Sequence, residues 1–374
     1  MQRRLAPPLG SSDAWALHPS ELAARLNGSG DAVFAALQRP WRWQDGRPEV
    51  AARVWAELVE IGCALPRIAS RRASEDGSHK LLLALPGRAA AASQLVSGEE
   101  YIELVHMPRD VRQARVTLCV SSQVGCALGC TFCATAALGL RRQLSAGEIV
   151  GQVLVALHAL GPRHPGQLTL VFMGMGEPLH NLPQVARAIA ILALPAGLGL
   201  SARRITVSTA GLVPHIAELA RMCPRPLLAV SLNATRDELR SELMPINRRY
   251  PLAELRAALE QYPCRPRERI TIEYVLLAGV NDSPADATRL ADFCAGFPHH
   301  INLIPFNGSA QARYRAPSEL ALDAFASAVL ARRPSVLSVR RSRGRDIEAA
   351  CGQLAGSAGS PAPGAAQFQV SRAD

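Results

Sequence analysis

From about residue 115 onward, short apolar runs rich in β-branched residues alternate with longer stretches whose apolar positions recur at helical spacing. Such runs are typical of buried strands, and such stretches are typical of helices. The predicted strands are Arg115–Ser121, Leu168–Met173, Arg204–Ser208, Leu227–Leu232, Ile270–Leu276 and His300–Ile304, followed by a last strand over Ser335–Arg340. The predicted helices include Ala146–Leu160, Pro183–Leu192, Asp237–Leu243, Leu252–Gln261 and Pro284–Phe293. Six strand–helix alternations predict an α/β fold with a parallel sheet and helical crossovers, in an open or closed barrel.

The first hundred residues show a different pattern, in which helix signals come first and strands follow. Apolar residues recur at three- and four-residue spacing at Val50, Val54, Leu58 and Ile61. This spacing predicts an amphipathic helix. Further upstream, Ser20 is placed to cap a helix that reaches about Leu26.

A polar stretch over Arg71–Ser78 predicts a loop, and strands are predicted over Lys80–Leu85 and Tyr101–Met107. All four tryptophans lie within the first 55 residues, and this compositional break indicates a separate N-terminal unit. The predicted organisation is a mainly helical accessory domain over residues 1–100, a barrel with its C-terminal segment over 101–354, and a disordered tail over 355–374.

Composition narrows the classes of protein to consider. Apolar residues make up 48% of the 374 residues, which allows a sizeable core and excludes global disorder. No apolar run comes near the ~18 residues that a membrane helix needs, and the start of the chain lacks the apolar stretch of a signal peptide. Nine cysteines are present, and four of them fall within the fifteen residues Cys119–Cys133. We therefore expect a cytoplasmic protein, without membrane association, whose cysteines serve metal binding or catalysis.

The chain is basic, with a formal net charge of +10, and Lys80 is the only lysine among 41 basic residues. Codon bias explains the preference for arginine, whereas the positive sign favours a polyanionic partner. Four arginines are clustered just before Cys351, at Arg340, Arg341, Arg343 and Arg345. Such a cluster suits the phosphates of an RNA chain, and Arg341 and Arg343 are the predicted contacts. A solvated run of charges is the alternative.

Three cysteines follow directly on the first predicted barrel strand, with the spacing Cys-x3-Cys-x2-Cys at Cys126, Cys130 and Cys133. Cysteine thiolates hold iron–sulfur clusters, and a short loop loosened by Gly125 and Gly129 can wrap three corners of a cubane. Three cysteine ligands leave the fourth iron without a protein ligand. This iron would be the reactive position, as the open coordination site is in catalytic zinc centres. The motif predicts a [4Fe–4S] cluster. A zinc site with a fourth ligand from elsewhere is the alternative.

Small and polar residues stand at the ends of several predicted strands, where catalytic groups of such folds lie. Gly176 permits a close approach of the backbone, and Glu177 can accept a hydrogen bond from an ammonium group. Further candidates at strand ends are Ser208, Ser231, Leu232, Asn233 and Asn307. Each is a weak signal alone, but together they predict a site for a small ligand.

The cysteine motif and the barrel resemble the radical S-adenosylmethionine superfamily. More narrowly, Cys119, Cys351, Phe172–Pro178 and the segment 244–251 resemble the RlmN/Cfr family of RNA adenine methyltransferases over about residues 101–354. The resemblance implies a partial (β/α)6, TIM-like radical SAM barrel. It also implies a [4Fe–4S] cluster on the three cysteines and S-adenosyl-L-methionine, two molecules per turnover, held by the strand-end residues.

The resemblance further implies roles for single residues. Cys351 would accept a methyl group as S-methylcysteine, Cys119 would release the product through a transient disulfide with Cys351, and Glu103 aligns with the family's proton acceptor. A surface glutamate on a strand is the alternative for Glu103. Asn233 departs from the family, since many members carry histidine there. The implied substrates are 23S rRNA and tRNA, methylated at carbon 2 of adenine by a monomer that a flavodoxin- or ferredoxin-type partner reduces.

Two alternatives remain open. A Cfr-type enzyme shares the same cysteines and methylates carbon 8 of the same rRNA base, although Pro178 and Leu179 look more like RlmN. A non-catalytic, metal-containing RNA-binding or ribosome assembly factor is the alternative of another class. The colour and iron content of anaerobically purified protein would separate it from an enzyme.

Overall fold

A computed structural model describes residues 13–26, 30–44, 46–85, 99–110, 115–160, 168–308, 313–350 and 352–354. The strands in this part of the chain are β1 Arg67–Ala73, β2 His79–Ala84, β3 Tyr101–Asp110, β4 Arg115–Cys119, β5 Gln123–Gly125, β6 Leu140–Gln143, β7 Leu168–Phe172, β8 Ile205–Thr209, β9 Leu227–Ser231, β10 Ile270–Leu276, β11 His299–Pro305 and β12 Val336–Val339. The α-helices are α1 Pro19–Arg25, α2 Gly30–Leu37, α3 Ala52–Ile61, α4 Ala134–Ala137, α5 Ala146–Leu160, α6 Leu182–Ala193, α7 Val213–Ala220, α8 Asp237–Leu243, α9 Leu252–Glu260, α10 Pro284–Phe293 and α11 Glu319–Arg332.

Ten strands form one sheet in the order β1-β2-β3-β4-β7-β8-β9-β10-β11-β12. The pairs from β1 to β4 are antiparallel, and every pair from β4 to β12 is parallel. Strands β5 and β6 form a separate antiparallel hairpin. The predicted α/β fold with a parallel sheet and helical crossovers is therefore confirmed, and the predicted barrel strands and helices agree with the structure to within two residues at each end.

Two predictions for the first hundred residues were wrong in detail. The predicted loop Arg71–Ser78 begins inside β1, whose side chains are mostly exposed because it is the edge strand of the sheet. An exposed strand has no apolar pattern to reveal it. Helix α1 is capped by His18 instead of Ser20, because the His18 ring accepts a hydrogen bond from the Ser20 amide at 3.3 Å and Glu21 completes a capping box.

The N-terminal helices pack on the barrel helices. The Trp43 ring lies 5.6 Å from the rings of both Trp15 and His158, and His158 belongs to α5. On the next helix, α6, Arg187 donates a hydrogen bond to the Ala16 carbonyl at 2.8 Å. The division at residue 100 stays a prediction, as does the tail 355–374, which lies outside the described residues. None of the described helices is long and apolar enough to span a bilayer.

Candidate active site

The carboxyl ends of the parallel strands meet at one edge of the sheet, and most of the predicted site residues lie there. Cys119 on β4 is paired with Val171 on β7, and Ser231 on β9 is paired with Glu273 on β10. Ser208 lies one residue before the end of β8. Because parallel strands end in register, residues that are far apart in sequence become neighbours at this edge.

The three cysteines of the motif lie in the connection between β5 and β6. The amide of Cys126 donates to the Gly139 carbonyl at 3.0 Å and closes the neck of the hairpin. The loop is also held from outside, since the Thr131 amide donates to the Leu243 carbonyl at 3.0 Å and the Thr131 hydroxyl lies 2.8 Å from the Tyr314 hydroxyl. These bonds fix the loop against the C-terminal end of α8 and the segment after β11.

Gly125 is essential to this neck. Its φ is +75°, and a Cβ there would lie 1.7 Å from the Gly139 carbonyl oxygen. Gly46 has the same φ of +75°, but a Cβ there would meet no described atom within 4 Å. Gly46→Ala is therefore expected to lower the free energy of unfolding by about 1–2 kcal/mol, the strain of a left-handed residue.

Gly125→Ala is expected to lower the free energy of unfolding by a further ~1–3 kcal/mol, because the neck must also open to admit the methyl group. Urea unfolding of the two variants measures the difference between them. Equal losses of stability would show that the contact with Gly139 does not constrain the loop.

Two thiols of the motif, those of Cys126 and Cys130, are in an environment that disfavours free thiolates. Burial, then the charges of Glu177 and Cys133, raise the pKa of Cys126 to about 12, and burial with the charges of Cys133 and Cys126 raises the pKa of Cys130 further. Among the residues that the structure describes, no three His, Cys, Asp or Glu side chains form a group suited to a single metal ion. A cubane binds each cysteine through a different iron, whereas zinc gathers all of its ligands on one ion. Three thiols on one loop are a donor set that fits such a cluster.

Glu177 lies beside these cysteines in a buried position. Its carboxylate accepts hydrogen bonds from the Ala210 amide at 2.8 Å and the Leu179 amide at 3.1 Å. Burial nevertheless raises the pKa of Glu177 to about 7. The preceding Gly176 has a φ of +97°, and a Cβ there would lie 2.5 Å from the Cβ of Gln123. The two amides stabilise the charge of this buried carboxylate only in part, so the Glu177 side chain is suited to bind a cationic group.

Sequence patterns missed Arg240, which is fully buried on α8. Its guanidinium donates to the carbonyls of Leu232 at 3.0 Å, Ala210 at 2.7 Å and Ser231 at 3.2 Å, and to Asn247 Oδ1 at 2.9 Å. It thus ties together the ends of β8 and β9 and places a positive charge that lowers the pKa of Cys130 against the effect of burial. In sequence the charged helix 237–243 looks like a surface helix, so no local signal marked Arg240.

The other predicted strand-end residues are all partly or fully buried. The side chains of Asn233 and Asn307 form hydrogen bonds to other residues of the protein. Asn233, at a φ of +56°, accepts a hydrogen bond from the Val275 amide at 2.9 Å. Asn307 donates to the Ser342 hydroxyl at 2.7 Å and so holds the C-terminal segment. Leu232 is wholly buried, whereas Ser208 and Ser231 each keep some exposure. Cofactor binding by these five residues stays a prediction.

Cys119 lies in a narrow cleft between the sheet and the C-terminal segment. Val105 and Met107 on β3 and Met173 after β7 form the sheet side of the cleft, and Cys119 is 6% exposed. Glu103, predicted as a proton acceptor, lies on the same face of β3. It is 5% exposed, so the alternative of a surface glutamate does not hold.

The other side of the cleft is formed by residues that flank Cys351 on both sides. Ala349, Ala350 and Leu354 line the cleft that contains Cys119. The same segment contacts the helix after the cysteine motif, since the Ala134 amide donates to the Gly352 carbonyl at 2.7 Å and Thr135 donates to the Leu354 carbonyl at 2.6 Å. Cys351 itself lies outside the described residues. Its neighbours are thus placed between the strand of Cys119 and the loop of the cluster motif.

The predicted RNA contacts differ in their surroundings. Arg341 is 72% exposed in its side chain and pairs with Glu319 at 2.7 Å. Arg343 donates hydrogen bonds to the carbonyls of Pro108 and Asp76, so its guanidinium already binds the protein. Arg340 lies 4.0 Å from the buried carboxylate of Glu273, whose pKa is raised by burial. Of the predicted pair, Arg341 is the better placed to meet a phosphate.

Comparison with known proteins agrees with this arrangement. The Radical SAM superfamily profile matches residues 120–291. The dual-specificity RNA methyltransferase RlmN of Syntrophotalea carbinolica is 48% identical over 348 residues, which cover 90% of this chain and 87% of that protein. RlmN of Geobacter sulfurreducens is 42% identical over 375 residues and covers 97% of each chain. The crystal structure of a radical SAM methyltransferase from Sphaerobacter thermophilus superposes with a TM-score of 0.82 at 40% identity, covering 92% of this chain and 99% of that one. The chain therefore belongs to the RlmN family of the radical SAM superfamily.

Proposed function

We propose that this protein methylates carbon 2 of an adenine in 23S rRNA and tRNA, with Cys351 as the carrier of the methyl group. The observation that carries the proposal is the cleft in which Cys119 faces the residues on both sides of Cys351, next to the loop of Cys126, Cys130 and Cys133. Relatives named dual-specificity RNA methyltransferases support the class of substrate.

Cys126, Cys130 and Cys133 would hold a [4Fe–4S] cluster, and Glu177 would receive the ammonium group of S-adenosylmethionine. When bound, the cluster and S-adenosylmethionine supply a carbon radical that removes a hydrogen atom from a methyl group. Such chemistry is needed because carbon 2 of adenine has no lone pair with which to attack a methyl donor. The assignment is supported by the position of the three cysteines after β4 and of Glu177 after β7, two neighbouring parallel strands.

The chain's own side chains divide the remaining work. The Cys351 thiolate takes a methyl group from S-adenosylmethionine by displacement, and S-adenosylhomocysteine leaves. Once this methyl group has lost a hydrogen atom, its carbon becomes joined to carbon 2 of the adenine. Glu103 accepts the proton that carbon 2 gives up. The unpaired electron of the adduct would return to the cluster. The Cys119 thiolate then attacks the sulfur of Cys351, which forms the S–S bond of a disulfide and breaks the bond from that sulfur to carbon. The carbon takes up a proton as the methylated base leaves. One molecule of S-adenosylmethionine supplies the methyl group and a second supplies the radical, so two are used per turnover.

An adenine within folded RNA must be unstacked before it can reach this cleft. The net charge of +10 favours such a partner, and the exposed Arg341 stands on the segment that leads to Cys351. A flavodoxin- or ferredoxin-type protein would supply electrons, and we expect the enzyme to act as a monomer.

RNA binding is expected to weaken with salt, with a log–log slope of roughly −0.7 for each neutralised phosphate on single-stranded stretches. Arg341→Gln should reduce the magnitude of the slope by about 0.7, because one contact is lost. Arg53→Gln is the matched control, since that side chain is 83% exposed on the distant helix α3 and pairs with Glu57. Filter binding of a tRNA at several salt concentrations measures both. Equal slopes for Arg341→Gln and the unchanged protein would show that Arg341 meets no phosphate.

The proposed function is tested by mass spectrometry of rRNA and tRNA adenosines from a strain that lacks this protein. We expect 2-methyladenosine to be absent and to return when the protein is supplied, but not when its Cys351→Ala variant is supplied. Loss of 8-methyladenosine instead would assign the Cfr-type reaction, and unchanged adenosines would contradict both.

A further inference from the structure

Strand register places a buried lysine on the same face of the sheet as Glu103 and Cys119. Lys80 on β2 is paired with Val105 on β3, and Val105 is paired with Cys119 on β4. Glu103 is two residues from Val105 and so shares its face. The cleft face of three adjacent strands thus presents Lys80, Glu103, Val105 and Cys119 together.

Lys80 is surrounded by partners that come from different parts of the chain. Its Nζ lies 3.4 Å from Glu103 Oε1, and the two side chains are 8% and 6% exposed. The same ammonium donates to the Glu348 carbonyl at 3.1 Å, three residues before Cys351. A compact ammonium with three donors can serve both acceptors in a narrow site, whereas the planar fork of arginine needs more room. In a chain with forty arginines, the single lysine stands at this position.

The turn between β1 and β2 holds the same C-terminal segment at further points. The Ser74 hydroxyl donates to Asp346 at 2.6 Å, and the Gly344 amide donates to Asp76 at 3.0 Å. The Ser74 and Lys80 side chains are both buried, so the hairpin holds this segment both from its turn and from β2. Lys80 is therefore a point of attachment between β2 and the segment that leads to Cys351, and the same side chain also contacts Glu103.

We propose that Lys80 is a positioning residue, which fixes the carboxylate of Glu103 beside Cys119 and ties the segment before Cys351 to β2. The proposal rests on the proposed function for the roles of Glu103 and Cys351. Without the ammonium, the buried carboxylate of Glu103 would lose its ion pair with Lys80, and the Glu348 carbonyl would lose a hydrogen-bond donor.

The first test needs no activity. Hydrogen–deuterium exchange of the cluster-loaded protein is followed in peptides covering residues 344–350. Lys80→Met is expected to increase exchange there by about tenfold or more, since a buried attachment is lost. Arg72→Met is the matched control, because Arg72 is paired with Lys80 across the hairpin and contacts Glu348 through an exposed bridge at 3.7 Å. It should change exchange by less than about twofold.

The second test measures single-turnover methylation of tRNA. Lys80→Met and Glu103→Gln are each expected to slow the maximal rate by at least about tenfold, the lower part of what a general base supplies, with KM for tRNA unchanged within about twofold. If Lys80 acts through Glu103, the double variant Lys80→Met/Glu103→Gln should be no slower than the worse single variant. This double variant also removes the buried negative charge that faces Lys80, so it keeps the comparison valid if Lys80→Met folds poorly.

The two tests fail in different ways. Unchanged exchange at residues 344–350 in Lys80→Met would overturn the positioning role whatever the rates show. If the fold losses in maximal rate of the two single variants multiplied in the double variant, Lys80 would not act through Glu103. Full turnover by Glu103→Gln would instead remove Glu103 from the proposed function.

Discussion

Cys119→Ala is expected to trap the protein on its RNA as a covalent adduct, whereas Cys351→Ala is expected to form no adduct at all. Without Cys351 there is no carrier for the methyl group, so the RNA stays unmodified. Without Cys119 the methyl group can still be loaded and joined to adenine, but no thiolate remains to attack the Cys351 sulfur and release the base. Turnover should fall to background in both variants.

Denaturing gel electrophoresis followed by ribonuclease digestion measures the adduct, which should shrink to a nucleotide on Cys351 in Cys119→Ala alone. Cys294→Ala is the control, because Cys294 is buried, as Cys119 is, but lies at the C-terminal end of α10. Both site variants should keep the cluster, since neither cysteine belongs to the Cys126–Cys133 loop. If both cysteines only packed in the core, the two variants would show similar small losses of stability and no adduct. Full turnover by Cys119→Ala would show that Cys119 does not release the product.

Alanine at Cys126, Cys130 or Cys133 is expected to abolish both the cluster and the cleavage of S-adenosylmethionine. The anaerobically reconstituted protein should bind about four irons and absorb broadly in the visible range. Each variant should lose this absorption, because two thiolates leave a further iron without a protein ligand. Cys223→Ala is the control, since Cys223 is exposed. Iron analysis and the release of 5′-deoxyadenosine are the measurements. Tightly bound zinc with no iron uptake would contradict the assignment of an iron–sulfur cluster to these cysteines.

The barrel could be predicted from sequence because its strands are buried on both sides and its helices are amphipathic. The strand Ile270–Leu276 and the helix Ala146–Leu160 were predicted to the residue. Strand β1 escaped prediction because its exposed side chains carry no such pattern. The cysteine motif could be found because its three residues are close together in sequence, with three and two residues between them.

The supporting residues could not be predicted because their partners are distant in sequence. Lys80 contacts Glu348 across 268 residues, and only the folded sheet brings the two together. Arg240 reaches carbonyls at the ends of two strands from a helix that looks exposed. Glu273 could have been recognised from the sequence, because a carboxylate within the apolar strand Ile270–Leu276 requires a buried partner. In the structure this partner is Asn302, whose side-chain amide donates a hydrogen bond to Glu273 at 3.2 Å.

In the proposed reaction, carbon 2 of adenine receives a methylene group from Cys351 and not a methyl group directly. The most direct test is to supply S-adenosylmethionine with a trideuterated methyl group and to analyse the modified adenosine of tRNA and 23S rRNA by mass spectrometry. One deuterium is removed in the radical step, so we expect 2-methyladenosine that carries two deuterium atoms, with the third deuterium in 5′-deoxyadenosine. A product with all three deuterium atoms would contradict the account, because the methyl group would then have passed to the base intact.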